Sequence, residues 1–369
     1  MKTDIIIIGA GPGGYHTAVY AAGKGLSVVI IEKSDVGGTC LNRGCIPTKA
    51  LCHDAGSVEA AVRACGMRPL VDFGRIAARK DEVVSKLRQD VETLLSQPGI
   101  TLVRGEAVLL DGRTVAVGDD RYTADSIIIA TGSRSKIPPI KGVSLPGVMT
   151  STGLLALNTL PSRLCIIGAG VIGLEFASVF CSFGCSVTVW EYMKECLPPY
   201  DQDISRRVRK AMEKRGVKFE MQAAVNEIRQ YDDGLEVCYE SKCKPAQVQA
   251  DAVLVATGRI ANTEGLGLET VGITMNRGRI VVDDNMQTNV KGVYAVGDVN
   301  GRCMLAHAAE MQGMRCVNHI LGINDDICLD LMPSAVFSIP EVAAVGLTES
   351  QCKDAGQEYS VRKIPYRAN

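Results

Sequence analysis

Two thiols lie close together in the stretch GGTCLNRGCIP, residues 37–47: Cys40 and Cys45. Thiols at that spacing can hold a metal, staple a loop, or pass electrons by opening and closing a disulfide. Structural zinc needs four ligands, usually in tight Cys/His pairs. The chain has only four histidines, His16, His53, His307 and His319, and no second pair stands beside these cysteines; Cys52 and His53 lie down the helix that follows. An iron–sulfur cluster fails on the same shortage, so no metal is expected. A redox pair fits better. Cys45 stands just before IPTKALCHDA, which reads as a helix with Pro47 near its first turn. A thiolate there is stabilised by the positive end of the helix dipole. Gly37, Gly38 and Gly44 permit close backbone approach to a cofactor or substrate. The disulfide of such a pair accepts two electrons as it opens to two thiols, and gives them up as it closes. Lys49 comes one helical turn after Cys45, so it can face the same site and bias its charge; a solvent lysine is an equal reading of spacing alone.

Two longer segments must position this chemistry, and they resemble each other. DIIIIGAGPGGYHTAVYAAGKGLSVVIIEK runs from Asp4 to Lys33, and RLCIIGAGVIGLEFASVFCSFGCSVTVWEY from Arg163 to Tyr192. Each reads as apolar strand, GxGxxG turn, apolar-periodic helix, second strand and terminal acid. The interval from Gly9 to Glu32 equals that from Gly168 to Glu191. In that context the glycines allow a tight turn, close approach of a pyrophosphate, and packing of helix on strand, and the acid accepts from a ribose. The phosphates rest on the helix N-terminus. A matched pair of buried-type strands, DSIIIATGS (residues 125–133) and DAVLVATGR (residues 251–259), completes two copies of one nucleotide-binding plan. Two dinucleotides in one chain imply that electrons pass between them. Lys194 is the only cation near Glu191, so the second site favours NAD(H) over NADP(H).

The rest of the chain supports an α/β fold. Each copy carries polar hairpin-like material, the second with an Asp233–Gly234 turn. Val83, Val84, Leu87, Val91, Leu94 and Leu95 recur at helical spacing and predict a helix over residues 78–97 that serves packing. From about Met332 the pattern changes to strand, turn, strand and helix start. The formal charge of −1 steers toward neither nucleic acid nor an anionic membrane. The run Ile5–Ile8 is too short to span a bilayer, and no signal-peptide pattern precedes it, so the cytoplasm is the expected location. Fourteen scattered cysteines do not form a disulfide framework; Cys165, Cys181 and Cys238 fall in apolar patterns and read as small buried hydrophobes.

GGTCLNRGCIPTKAL, the two glycine motifs, both ATG strands and VYAVGDV…MLAHAA together resemble the pyridine nucleotide–disulfide oxidoreductases, and within them the branch that oxidises dihydrolipoamide. The resemblance covers essentially the whole chain. It implies two Rossmann-like FAD/NAD(P)-binding domains of the glutathione reductase type and the start of an α+β dimerisation domain. The expected division is 1–144 and 261–331 for FAD, 145–260 for NAD, and 332–369 for the interface. Gly9, Gly11, Gly14, Glu32, Gly132 and Asp298 would hold FAD, with Met304, Leu305, Ala306 and His307 supplying backbone near the flavin ring. Lys33, Gly38, Thr39 and Gly258 complete the expected cofactor contacts. Cys45 would face the flavin and Cys40 the substrate disulfide, while Lys49 and Glu175 would pair near the flavin on the nicotinamide side. Gly168, Gly170, Gly173 and Glu191 would hold NAD(H). The implied reaction oxidises dihydrolipoamide, free or on a lipoyl-bearing protein, with hydride passing through FAD to NAD+. Another NAD(P)H-dependent disulfide or mercuric reductase, or a non-catalytic flavoprotein scaffold, is the alternative.

One part of the family pattern is missing. The family's general base is a histidine before a proline, paired with a glutamate and donated by the partner subunit. None of the four histidines here precedes a proline. The segment from Met332 resembles only the start of the interface domain, and PYRAN resembles an internal strand of it, so the chain reads as a shortened form whose homodimer is expected at full length.

Overall fold

The computed structural model describes residues 1–365. The chain opens with β1 (Lys2–Ile8), α1 (Pro12–Gly23) and β2 (Val28–Glu32). Two helices follow, α2 (Gly38–Arg43) and α3 (Cys45–Cys65), and α4 (Phe73–Leu95) returns the chain to β3 (Ile100–Arg104). β4 (Ala107–Leu109), β5 (Thr114–Val117) and β6 (Asp120–Ile129) come next, and β7 (Ser133–Ser135) leaves the sheet. The order is β3-β2-β1-β6-β5-β4. The register sets Ile5 between Val28 and Ser126, and Ile8 between Ile31 and Ile129. Ile5, Ile6 and Ile7 have no exposed surface, so both faces of β1 are covered, as its unbroken apolar run requires. Each such side chain contributes about 1.5–3 kcal/mol.

The helix expected over residues 78–97 begins earlier, at Phe73. Asp72 caps it by accepting from the Arg75 N–H at 3.1 Å, and Phe73 is buried beneath. It ends at Leu95, where Ser96 N–H turns back onto Thr93 at 3.1 Å.

The second half repeats the plan. β8 (Val148–Met149) and α5 (Ser151–Leu155) lead to β9 (Arg163–Ile167), α6 (Val171–Phe183) and β10 (Ser186–Glu191). α7 (Gln202–Lys214) and β11 (Lys218–Met221) follow, then an antiparallel meander of β12 (Ala223–Tyr231), β13 (Gly234–Ser241) and β14 (Lys244–Ala250). β15 (Ala252–Val255) returns to the parallel sheet, ordered β11-β10-β9-β15-β8, and β16 (Arg259–Ala261) leaves it. Gly234 pairs with Tyr231, so the hairpin turns on Asp232 and Asp233 rather than on Asp233–Gly234. Asp232 takes the left-handed conformation (φ 45°), which aspartate tolerates. From Gly173 to Phe183, α6 is buried on all sides, and Phe180 and Phe183 pack edge-on or tilted against Phe73 from the first half.

α8 (Leu268–Val271), the hairpin of β17 (Met275–Asn276) and β18 (Arg279–Ile280), and β19 (Val293–Ala295) return the chain to the first sheet, where β19 pairs with β6. α9 (Ala306–Ile320) packs on α1. β20 (Ser334–Val336) and β21 (Val342–Ala344) form an antiparallel pair, followed by α10 (Glu349–Asp354) with a Thr348–Gln351 capping box. Among the described residues no helix is long and apolar enough to cross a membrane.

Candidate active site

The two glycine turns have the same construction. Gly9 and Gly168 take φ of 103° and 109°, and a Cβ on either would strike the carbonyl of Ala130 or Ala256 at the end of an ATG strand. A Cβ on Gly14 or Gly173 would overlap the carbonyl oxygen of Gly9 or Gly168, so helix and turn touch only because both are glycine. α1 and α6 start on Gly11 and Gly170 with no side-chain cap, which leaves their N-terminal dipoles facing outward. Behind each turn lies the acid. Glu32 accepts from the N–H groups of Ala10 (2.7 Å) and Ser34 (2.9 Å), and Glu191 from those of Ala169 (2.7 Å) and Met193 (2.8 Å). Each carboxylate therefore clamps the turn to the residues after the second strand. Glu32 Oε1 also accepts from Ser34 Oγ at 3.3 Å, whereas Glu32 Oε2 and both Glu191 oxygens keep a further lone pair for a ribose hydroxyl.

The cysteines lie directly against the first turn. Gly38 sits on Gly11, where a Cβ on Gly38 would meet the Gly11 Cα. Cys40 is in α2, Cys45 is the first residue of α3, and the two form a disulfide with Cα atoms 4.7 Å apart. Gly44 makes the corner between the helices, its position backed by the Thr39 carbonyl. Asn42 ties α2 down by donating to Val36 O (2.8 Å) and Gly38 O (2.9 Å), and Arg88 of α4 donates to Asn42 Oδ1 at 2.9 Å. On reduction, Cys45 lies at the positive end of a 21-residue helix, the setting that lowers a thiol's pKa. Pro47, Thr48, Ala50 and Leu51 bury the opposite side of α3, which packs against both α4 and α6 and so bridges the two halves.

Lys49 and Glu175 converge from those two helices, but not as the expected ion pair: no N–O approach within 4.0 Å joins them. Both reach Phe337 instead. The Lys49 Nζ lies 4.1 Å from the centre of the Phe337 ring, and the Phe337 N–H donates to Glu175 Oε1 at 2.9 Å. Burial pushes the Glu175 carboxyl above the ordinary range, opposed by that N–H and by the Lys49 charge. Cys52, on the same face of α3, places its Sγ 3.4 Å from the Phe337 carbonyl oxygen. Burial, and then Glu175, push that thiol up to about 12, so it stays protonated.

A second cluster joins the ATG strands. β7 and β16 pair antiparallel, and Thr131 and Asn262 exchange hydrogen bonds at 2.7 and 2.9 Å. Ser133 donates to Asp298. Arg259 donates to Ser133 Oγ (2.7 Å) and O (2.6 Å), with its Nε 3.8 Å from Asp298 Oδ2. Asp298 was expected at the cofactor; its two partners were not, although each directly follows the glycine of an ATG strand. Gln312 of α9 fixes the same loop by accepting from Gly297 N–H and Asn300 Nδ2, both at 2.8 Å. Met304 and Leu305 lead into α9, which begins at Ala306, and His307 meets Pro333 O at 2.8 Å.

The sequence profile described as pyridine nucleotide-disulphide oxidoreductase matches residues 3–313, and the dimerisation domain of the same group matches residues 332–369. The chain belongs to this family. It is 39% identical over 383 residues to leghemoglobin reductase of Glycine max, the alignment covering 100% of this chain and 73% of that protein. It is 38% identical over 383 residues to the mitochondrial dihydrolipoyl dehydrogenase of Pisum sativum (100% and 76%) and 37% identical over 380 residues to dihydrolipoyl dehydrogenase of Staphylococcus aureus (100% and 81%). Among solved structures, the HOCl-induced flavoprotein disulfide reductase RclA from Escherichia coli superposes with a TM-score of 0.87 at 36% identity, covering 99% of this chain and 82% of that one. The chain is thus an FAD-dependent, NAD(P)H-linked disulfide oxidoreductase with a dimerisation domain. Its relatives act under several names, so the resemblance to the dihydrolipoamide branch holds at the level of the whole family.

The oxidoreductase's own residues fit both cofactors: two uncapped helix starts, each with a turn that no Cβ would permit, and each clamped by an acid. The remaining expected contacts surround these turns. Lys33 is exposed and pairs with Glu106, in the connection between β3 and β4, at 3.1 Å. Gly132 and Gly258 both take positive φ, at 67° and 115°, next to Ser133 and Arg259. Thr39 lies in the first turn of α2. Glu310 faces His16 across α1 and α9 at 3.4 Å, half exposed. The four residues that end PYRAN lie outside the described residues.

Proposed function

We propose that this oxidoreductase moves an electron pair between NADH and an external disulfide through Cys40 and Cys45. The observation that carries the reading is the Cys40–Cys45 disulfide at the start of α3, the helix that also brings Lys49 to the Glu175 side. A bound FAD would supply a two-electron relay between the nicotinamide and the Cys40–Cys45 disulfide. The chain's residues do the rest. Gly9, Gly11, Gly14, Glu32, Ser133, Arg259 and Asp298 orient the flavin nucleotide; Gly168, Gly170, Gly173 and Glu191 hold NAD(H), the acid disfavouring a 2′-phosphate. Opening of the disulfide gives a Cys45 thiolate, held by the helix dipole, and a Cys40 thiol free to react. Cys40 gives its proton to a neighbouring base and attacks the substrate disulfide as the thiolate; a mixed disulfide forms, and the first substrate sulfur leaves and takes that proton to become a thiol. Cys45 then attacks Cys40, the internal disulfide closes, and the second thiol leaves. The balance is NADH, one proton and one disulfide in, and NAD+ and two thiols out. The protons that complete the released thiols need a general acid near Cys40, expected from the partner subunit.

Dihydrolipoamide oxidation, the reverse direction, is the second reading, favoured by the dihydrolipoyl dehydrogenases among the relatives. The test compares NADH consumption with lipoamide, glutathione disulfide and a protein disulfide, and NAD+ reduction by dihydrolipoamide. Turnover with any disulfide that Cys40→Ser abolishes supports the proposal. A yellow protein whose NADH-dependent disulfide turnover survives Cys40→Ser would sink it. Preference for dihydrolipoamide over the other dithiols decides for the second reading.

A further inference from the structure

The segment 333–339 opens the region that matches the dimerisation domain, and it is laced across the site. Pro333 O meets His307 of α9 at 2.8 Å. Phe337 meets Lys49 and Cys52 of α3 and Glu175 of α6. The Ile339 N–H donates to Ser178 Oγ at 2.9 Å, and Ile339 O accepts from Arg215 Nη1 at 3.0 Å. The same guanidinium is held by Glu59 at 2.6 Å and Ser182 at 2.7 Å, so the far end of the segment is anchored in a half-buried polar network.

Most of these contacts are made by backbone, and any sequence could make them. The side chain of Phe337 does something the backbone cannot. Its ring lies against the Lys49 ammonium, and a ring face attracts a cation most strongly where water is excluded. Its N–H meanwhile holds Glu175, which burial keeps from drifting. One residue thus sets the distance and direction between two charges that do not touch each other. We propose that Phe337 is the positioning residue that holds Lys49 and Glu175 for the nicotinamide-to-flavin step, so that the segment leading into the dimerisation region tunes the redox site. The inference rests on the functional reading above and on the expectation that those two residues lie near the flavin on the nicotinamide side.

The test uses the holoenzyme and two substitutions. Phe337→Leu keeps an apolar side chain and removes the ring; Phe337→Tyr keeps the ring. Rapid-mixing reduction of the bound flavin by NADH should slow roughly fivefold in Phe337→Leu, with half-saturation by NADH nearly unchanged, and recover in Phe337→Tyr. The midpoint potential of the bound flavin should fall in the leucine variant, because a positive charge beside it is less firmly placed. The acidic limb of the rate profile should also move to higher pH, since among the described residues Glu175 is faced by Lys49 and Cys52 from α3 and by the Phe337 N–H, and a displaced Lys49 opposes its protonation less. In a Lys49→Met background, Phe337→Leu should change none of these further. Labelling of Cys52 by a small thiol reagent reports whether the segment stays seated; if it comes loose in the leucine variant, the tyrosine recovery and the Lys49→Met cycle decide alone. Equal rates and potentials in wild type and Phe337→Leu, or the same loss with Lys49 absent, overturn the inference. Wild-type flavin that NADH does not reduce would instead defeat the functional reading itself.

Discussion

The two nucleotide turns of this chain are near copies, yet only one carries thiol chemistry. Their backbones, their missing helix caps and even their carboxylate clamps agree: Glu32 and Glu191 make the same two hydrogen bonds at the same places. They part company after the second strand. Beyond Glu32 the chain packs Gly38 onto Gly11 and leads into the Cys40–Cys45 corner. Beyond Glu191 it passes through exposed Tyr192 and Met193 into a loop that ends on buried Cys196 and Leu197. The cradle is thus a reusable fitting for a dinucleotide, and the reaction is set by what the chain attaches to it. The helices differ in the same way. α6 is buried all round and offers one acid, Glu175, whereas α1 shares its surface with α9.

The largest expected effect breaks the asymmetry outright. Cys45→Ser should reduce disulfide turnover by about a thousandfold or more while the protein stays yellow, because the flavin cradle is untouched and only the acceptor thiol is lost. A long-wavelength absorption band on partial reduction should vanish with it. Retained turnover, or a colourless variant, would contradict the division between cradle and thiols. Next come the helix glycines. In Gly14→Ala and Gly173→Ala the new methyl overlaps the carbonyl oxygen of Gly9 or of Gly168. The first should lose flavin. The second should keep flavin and lose about a hundredfold in NADH affinity. Flavin content by absorbance and NADH binding by fluorescence separate the two; loss of flavin in Gly173→Ala would mean the copies are not independent.

Much of this was readable before any coordinates. The turns, the ATG strands and the cysteine corner announce themselves through local spacing, because a strand repeats every two residues, a helix every 3.6, and a phosphate turn needs glycine at fixed offsets. The start of α4 is a local matter as well: Asp72 before Phe73 is a plain N-cap, set several residues ahead of the apolar stripe that marks the helix. What stayed hidden depends on residues distant in the chain. Ser133, Arg259 and Asp298 meet only once the two ATG strands pair. Nothing near Lys49 or Glu175 shows that Phe337 would come between them. Spacing predicted that the two charges face one site, and packing decided that an aromatic residue mediates.

A finer test replaces each clamp acid by its amide. Glu32→Gln and Glu191→Gln keep size and shape, but the amide nitrogen cannot accept, so one backbone N–H of each pair faces a donor. The cost is about 1–3 kcal/mol per site. It should show as roughly tenfold weaker flavin retention in the first and tenfold weaker NADH binding in the second, by titration at one salt concentration. If both variants bind both nucleotides as wild type does, the clamps are incidental and the matched geometry reflects turn stability alone.

The smallest expected effect concerns the one carboxyl that α6 buries and α1 has no counterpart for. Burial raises the Glu175 carboxyl above its unfolded value, against the opposing pull of the Phe337 N–H and Lys49. A folded state that holds its proton more tightly than the unfolded chain gains from it below the unfolded pKa. It loses that advantage as pH rises through the interval up to the folded pKa, because there the unfolded state has already released the proton. Glu175→Gln removes the titration. The variant's stability should therefore decline less between mildly acidic and neutral pH than that of the wild type, measured by urea unfolding at matched ionic strength. The same substitution should slow flavin reduction by NADH while leaving the Cys40–Cys45 exchange with free thiols unchanged, since Glu175 faces Phe337 and not the disulfide. Equal slopes of stability against pH would mean that the Phe337 N–H and Lys49 offset burial in full, and a parallel loss of thiol exchange would mean that the second half reaches across α3 into the chemistry of the first.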